Sequence, residues 1–366
     1  MIQRYVLREI ALPVLAWLGL LVTLMWTMSV LKGTDVLLGS EVTAWDFARV
    51  SLYLLPHFVA QAAPVAFLLG LLIGFGRLSE DKELVALQSF GLAPRALWLA
   101  PLGLAVVMSA LLTVLAFGPQ PHGLQSAQRL AAEIIKRNLV GDVKPGVFHH
   151  QLAHVTLYVE RVVAPGRWGN VLVYDERTPS SPVLLLAKSG RVVDAPAGAP
   201  LELVLEDGAL YRTSTENDDD AKVGFERATL SLGVEEAVWQ KNRFRAARDE
   251  LTPLEMLEAA AEQETPAAAR PLAIAAHWKL GQVLMPVSFA LLGVPLGLRR
   301  RTSGRARGAV FTLLGYATFY VVAQVSTSLG EKGLLAPLFA GQLANLLFIG
   351  FGLLALVVTD RGRLMR

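Results

Sequence analysis

The chain has 366 residues, of which 53% are hydrophobic and only 18% charged, with a formal net charge of +3. A soluble chain of this length carries about a quarter charged residues, so much of this surface faces something other than water. The small net charge does not draw a nucleic-acid footprint, and the absence of cysteine excludes a disulfide framework and a thiolate metal site.

Arg4 and Arg8 precede an apolar stretch from Ile10 to Leu31. At about 22 residues it exceeds a signal-peptide core and can span a bilayer, and no small-x-small cleavage pattern follows it. We read it as a retained first span. Six stretches qualify in all: 10–31, 52–76, 97–117, 272–298, 308–329 and 335–358, the last two separated by a tight turn over Gly330 to Leu334. Lys and Arg gather on one side: Arg4, Arg8, Arg77, Lys82, Arg95, then Arg299–Arg301, Arg305, Arg307, Arg361, Arg363 and Arg366. The opposite short flanks hold Lys32, Arg49 and Lys332. The rich side is cytoplasmic, so both termini lie inside.

Lys32, at the outer end of the first span, could attract a phosphorylated lipid head group, or simply snorkel to the interface. In the second span His57 and Gln61 lie one turn apart between Pro56 and Pro64. They, like Gln324, Ser326, Thr327 and Ser328 in the fifth, either line a cavity or hydrogen-bond between helices. Gly70-x-x-x-Gly74 and Gly293-x-x-x-Gly297 permit close helix contact, with a partner or within the bundle.

Between the second and third spans, Ser79 reads as an N-cap for a short amphipathic helix over about 79–91, with Gly91 beyond its end. Leu84, Leu87 and Gln88 share one side, and Glu80 and Glu83 lie one turn apart. Such a helix in the cytosol can engage a motor ATPase; the plainer reading is a surface helix closing a loop.

Residues 118–271 form one extracytoplasmic insertion. Alternating runs at Val147–Val163, Asn170–Asp175, Val183–Val193, Leu201–Tyr211 and Lys222–Leu232, bounded by turn chemistry, predict an all-β sandwich, jelly roll or barrel. His149, His150 and His154 do not make a metal site: the last two stand about 13 Å apart on a strand, and no carboxylate or thiol pattern completes one. Thr252-Pro253-Leu254-Glu255 is a capping box opening a linker helix to about residue 264. No Walker A, HExxH or Gly-x-Ser-x-Gly motif occurs, no cofactor is expected, and any ATP hydrolysis belongs to another chain.

Arg4-Tyr5-x-x-Arg8-Glu9, the segment Gly76 to Gly91, and Ala290-Leu-Leu-Gly-Val-Pro-Leu-Gly297 with the arginine-rich loop and Gly308 resemble the LptF/LptG (YjgP/YjgQ) family of lipopolysaccharide export permeases, the F branch more than the G branch. The resemblance covers essentially the whole chain. It implies six spans, N-in and C-in, with an inserted periplasmic jelly roll, divided as 1–117, 118–271 and 272–366. It also implies a transport permease subunit rather than an enzyme, in the bacterial inner membrane. Its expected partners are a cytoplasmic LptB-like ABC-type ATPase, a second, LptG-like permease, a single-span LptC-like protein, a periplasmic LptA-like bridge, and lipopolysaccharide itself. Glu83 matches the family's docking glutamate, with Glu80, Leu84 and Leu87 beside it, and Lys32 matches a lipid-phosphate position. Apolar inward residues of the β-domain, such as Leu157 and Val159, are expected to form the lipid path. Competing readings are another ATPase-coupled lipid or lipoprotein permease, whose external domain usually follows the first span, a membrane enzyme, which lacks a catalytic constellation here, and a passive scaffold.

Overall fold

The computed structural model describes residues 2–37, 43–83, 86, 89, 97–141, 143–152, 154–178, 181–193, 202–212, 221–231, 247–298 and 305–364. They form two compact units: Met1–Thr27 with Leu54–Leu124 and Arg248–Arg366, and Met28–Tyr53 with Gln125–Ala247.

The helices, in chain order, are α1 (Ile2–Leu37), α2 (Ala44–Glu80), α3 (Leu99–Phe117), α4 (Pro119–Gly141), α5 (Pro253–Ala261), α6 (Pro266–Leu298), α7 (Arg305–Glu331) and α8 (Pro337–Leu364). Four stretches among the described residues are long and apolar enough to cross a membrane: Ile2–Ser29, Ala44–Glu80, Leu99–Ile134 and Pro337–Val358. The other two expected spans fall on α6 and α7, continuous helices of 33 and 27 residues. α6 carries His277 and Lys279, and α7 carries Gln324 and the hydroxyl run Ser326-Thr327-Ser328. Lys279 and Ser288 of α6 and Ser326 of α7 are buried, so these polar groups are spent inside the bundle. Leucines and valines such as Leu15, Val107, Val114 and Val321 are instead more than half exposed. For a bilayer protein that is the ordinary arrangement, because lipid tails are as apolar as the side chains they meet.

Phe289, Phe319 and Phe348 meet edge to face where α6, α7 and α8 join, with centroids 5.0 to 6.2 Å apart. Asn345 ties α8 to α6 by donating to the Gly281 carbonyl at 3.0 Å and accepting from Ser288 at 2.8 Å. The turn after α7 is a Schellman motif: Gly333 has φ +78°, Leu334 N–H donates to Leu329 O, and Gly333 N–H to Gly330 O.

Residues Pro119–Gly141, expected as the start of the β insertion, are helical. Pro119 and Pro121 look like breakers, but both sit in the first turn, where no intrahelical N–H is lost. In the second unit Arg137 of α4 donates to Asp46 of α2 at 2.8 Å, and Asp46 also accepts from the Thr43 hydroxyl at 2.8 Å.

The β region is one antiparallel sheet: β1 (Phe148–Leu152), β2 (Val155–Ala164), β3 (Arg167–Asp175), β4 (Val183–Val193), β5 (Glu202–Arg212) and β6 (Ala221–Ser231), in spatial order β1-β2-β3-β4-β5-β6. The expected run Val147–Val163 is a hairpin, turned at His154 with φ +54°. A jelly roll places strands distant in sequence side by side, whereas every hydrogen-bonded neighbour among the described strands is consecutive. Layering arises differently. Pairing lapses along one row that runs across β2 to β6, at Glu160, Asn170, Lys188, Asp207 and Glu226. Asn170 and Asp207 are left-handed there, with φ +51° and +52°. On one side of this crease the core-facing residues are Val159, Val171 and Ala187; on the other they are Trp168, Gly190 and Leu205, one position out of strict alternation. In β3 and β4 this change of alternation, with the register between strands unchanged, keeps the apolar face inward as the sheet bends. Arg177, just past β3, donates to the carbonyl of Ser231 at the end of β6 at 3.0 Å. In a flat meander Ser231 would lie about 33 Å along the strands from the row containing Asp175, so the sheet is folded back on itself at the crease.

Candidate functional site

The residues expected to meet an ATPase lie at and just beyond the end of α2. Here α2 does not stop at Ser79, as the N-cap reading required, but continues to Glu80. It breaks at Asp81-Lys82, where Lys82 takes φ +58° and donates its N–H to Ser79 O. A new helical turn starts at once, Ala86 N–H donating to Lys82 O at 3.0 Å. Glu80 is exposed and Glu83 half-buried, while Leu84 and Leu87 lie outside the described residues.

The first turns of α1 run alongside this whole stretch. A Cβ on Gly70 would stand 2.4 Å from Val14 Cγ2, and one on Gly74 would stand 2.8 Å from the Glu9 carbonyl oxygen. The Gly70-x-x-x-Gly74 pair thus serves contact within the chain, letting the α1 backbone approach α2. Farther along, Arg77 pairs with Glu9 at 3.3 Å, and the Tyr5 hydroxyl donates to Glu83 Oε2 at 2.7 Å. Descending residues of α1 therefore meet ascending residues of α2 and of the turn beyond its break. Sequence reading noticed Tyr5 and Glu83 separately; no local pattern links two residues 78 apart.

A profile of the family described as lipopolysaccharide export system permease LptF/LptG matches residues 4–357. The chain belongs to the LptF/LptG family. Among curated relatives, the permease protein LptF of Escherichia coli K12 is 21% identical over 366 aligned residues, 96% of this chain and 93% of that protein. LptF of Shigella flexneri matches to the same extent. LptG of E. coli K12 is 25% identical over 176 residues, so that match spans 47% of this chain and about half of the relative, 48%. The family is described as a permease of the lipopolysaccharide export system, and four stretches of the described residues in this chain are long and apolar enough to cross a membrane.

The other expected positions in this LptF/LptG chain are scattered rather than convergent. Lys32 lies in α1, and its side chain is outside the described residues. Leu157 and Val159 are fully buried in the sheet core with Val173, Leu203 and Leu205. His57 is buried with its two ring nitrogens 3.3 and 3.4 Å from the amide nitrogens of Gln61 and Gln120. Ser326 donates to Ala340 O at 2.8 Å, a bond between helices. Sequence reading missed Lys279, whose ammonium donates to the carbonyls of Asp249 and Leu251 at 3.1 and 2.7 Å and so fastens the segment leading into α5 to α6. It also missed Gln120, hidden in the stretch assigned to the insertion.

The capping box of α5 is present in full: Thr252 Oγ1 accepts from Glu255 N–H and Glu255 Oε2 accepts from Thr252 N–H. The Thr252 backbone N–H and its hydroxyl hold the Glu255 carboxyl below its ordinary range. At Asp175 burial pushes the carboxyl up, but the Arg177 guanidinium and backbone N–H outweigh it and hold the group below its ordinary range.

Proposed function

We propose that this chain is the F-type permease subunit of an ATP-driven transporter that extracts lipopolysaccharide from the inner membrane and passes it to a periplasmic bridge. The observation that carries this reading is the alignment with LptF across 96% of the chain. In it the chain crosses the membrane six times with both termini inside, α6 and α7 supplying the fourth and fifth spans, and the sheet unit stands in the periplasm. A second, LptG-like permease completes the cavity, an LptB-like ATPase drives it, and LptC- and LptA-like proteins receive the lipid.

Glu83 is the docking carboxylate, with Glu80, Leu84 and Leu87 beside it. A carboxylate has about four acceptor sites, so one oxygen can stay with Tyr5 while the group receives an arginine fork. Lys32 meets lipid phosphate at the outer interface. Each acyl methylene moved into water costs about 0.8 kcal/mol, so the route beyond the membrane has to remain apolar. Leu157 and Val159 lie in the apolar core between the two layers of the folded sheet, and lipid reaches them when the layers part.

The test is purification of the tagged chain from native membranes in mild detergent, beside Glu83→Arg. A second six-span permease and a soluble ATPase are expected with the parent chain, and the variant loses the ATPase alone. Recovery of neither from folded protein would defeat the proposal. A photoreactive residue at Leu157 or Val159 should capture lipid in energised membranes; failure there would remove the sheet core from the path.

A further inference from the structure

A docking residue transmits force only if what lies between it and the membrane is stiff. Here the connection has a weak point. α2 ends at Glu80, with Asp81 N–H still donating to Arg77 O. Lys82, a non-glycine residue, donates its N–H only to Ser79 O and sits in the left-handed region before the next turn begins. Left to itself, a two-residue joint of this kind lets the turn carrying Glu83 swing relative to α2.

The joint is bridged from outside. Val14 packs on Gly70, Ile10 and the Glu9 carbonyl on Gly74, the Glu9 carboxylate on Arg77, and Tyr5 on Glu83. The four contacts follow one antiparallel register, three on the α2 side of the joint and one beyond it. Glu9 is the more buried partner in its ion pair, with 16% of its side chain exposed against 66% for Arg77, so its side of the pair is the more firmly held. The backbone approach at the two glycines leaves little room for sliding, because the atoms that block a Cβ there include the backbone of α1.

We propose that the first turns of α1 splint the joint at Asp81-Lys82, and that Tyr5 is a positioning residue which fixes the Glu83 carboxylate relative to the spans. Movement of the turn carrying Glu83 is then delivered to α1 directly, as well as along α2. This rests on the reading of Glu83 as the docking residue for its functional meaning, but the splint itself is a property of this chain and can be measured separately.

The chain has no cysteine, so paired spin labels at Ile2→Cys and Ala86→Cys report the distance across the joint without background. In the chain purified in mild detergent and labelled apart from its partners, a single narrow distance distribution is expected. Tyr5→Phe, which keeps the ring and removes only the hydroxyl, should broaden it about twofold. Equal widths for the two chains would overturn the splint. In parallel, ATPase recovery is titrated for Tyr5→Phe, Glu83→Ala and the double variant. Tyr5→Phe should weaken recovery several-fold, Glu83→Ala should lose it, and the double variant should match Glu83→Ala. Additive losses would mean that Tyr5 acts elsewhere and would overturn its positioning role. If Glu83→Ala retains the ATPase while the label widths respond to Tyr5→Phe, the docking reading fails and the splint stands.

Discussion

Replacing Gly70 by alanine tests the seam at its tightest point. The new methyl would lie 2.4 Å from Val14 Cγ2 and 2.5 and 2.6 Å from the Val14 backbone N and Cα, against 3.4 Å or more for ordinary contact. Backbone cannot turn aside as a side chain can, so α1 and α2 have to separate locally by about 1 Å. A gap of that size forfeits a quarter to a half of each contact's dispersion energy, and insertion into a close-packed site costs about 1–3 kcal/mol. Helix propensity acts in the opposite direction, since Gly→Ala favours a helix interior by about 1 kcal/mol. Gly76, on the same helix, isolates that second effect, because nothing lies within 4 Å of a Cβ built there. Gly76→Ala should be neutral or slightly stabilised, and Gly70→Ala should fall below it by about 1–3 kcal/mol. Intrinsic fluorescence during a thermal ramp reads the difference, with buried Trp98 as a reporter in the same unit. Equal melting temperatures for the two variants would show that the close approach does not limit packing and would refute the reasoning.

Two further outcomes concern the sheet and α5. The Asp175 carboxyl is held below its unfolded value of about 3.9. The stability it contributes is therefore complete above that value and is lost as pH falls through the folded one. Arg177→Gln should remove this acid-side dependence and speed exchange of the β6 amides near Ser231, and an unchanged acid limb would contradict the ion pair's role. Thr252→Ala removes the cap of α5 at a cost of about 1 kcal/mol, so the Glu255 and Met256 amides should exchange about fivefold faster by hydrogen–deuterium mass spectrometry. Unaltered exchange would mean that Lys279, not the capping box, sets where α5 begins.

What could be read from the sequence was what local patterns encode. Apolar runs located the helices, glycine at Gly333 marked the turn after α7, and Thr252 with Glu255 announced α5, because each is decided within a few residues. The helix Pro119–Gly141 escaped because two prolines at a helix start resemble two prolines in a loop. The jelly-roll expectation came from strand count and kinship; strand order depends on long-range pairing, which alternation does not carry. A local sign of the crease did exist: Trp168-Gly169-Asn170 breaks alternation with a residue type tolerant of left-handed backbone. Tyr5 and Glu83 meet only through the tertiary packing of α1 on α2, which periodicity in either segment does not specify.

The row of lapsed pairing across the sheet has a mechanical meaning as well. Along that line backbone pairing is already interrupted at Glu160, Asn170, Lys188, Asp207 and Glu226. There β2 and β3 are joined by a side-chain bond from the Asn170 amide to the Glu160 carboxylate, which lies along the line and permits bending about it. The two halves can gape like the covers of a book on a pre-scored spine, resisted by their shared apolar filling and by the Arg177 clasp near the far margin. A clasp placed far from its spine has the longest lever arm, so one side chain there governs the angle of opening more effectively than the same contact would beside the fold line.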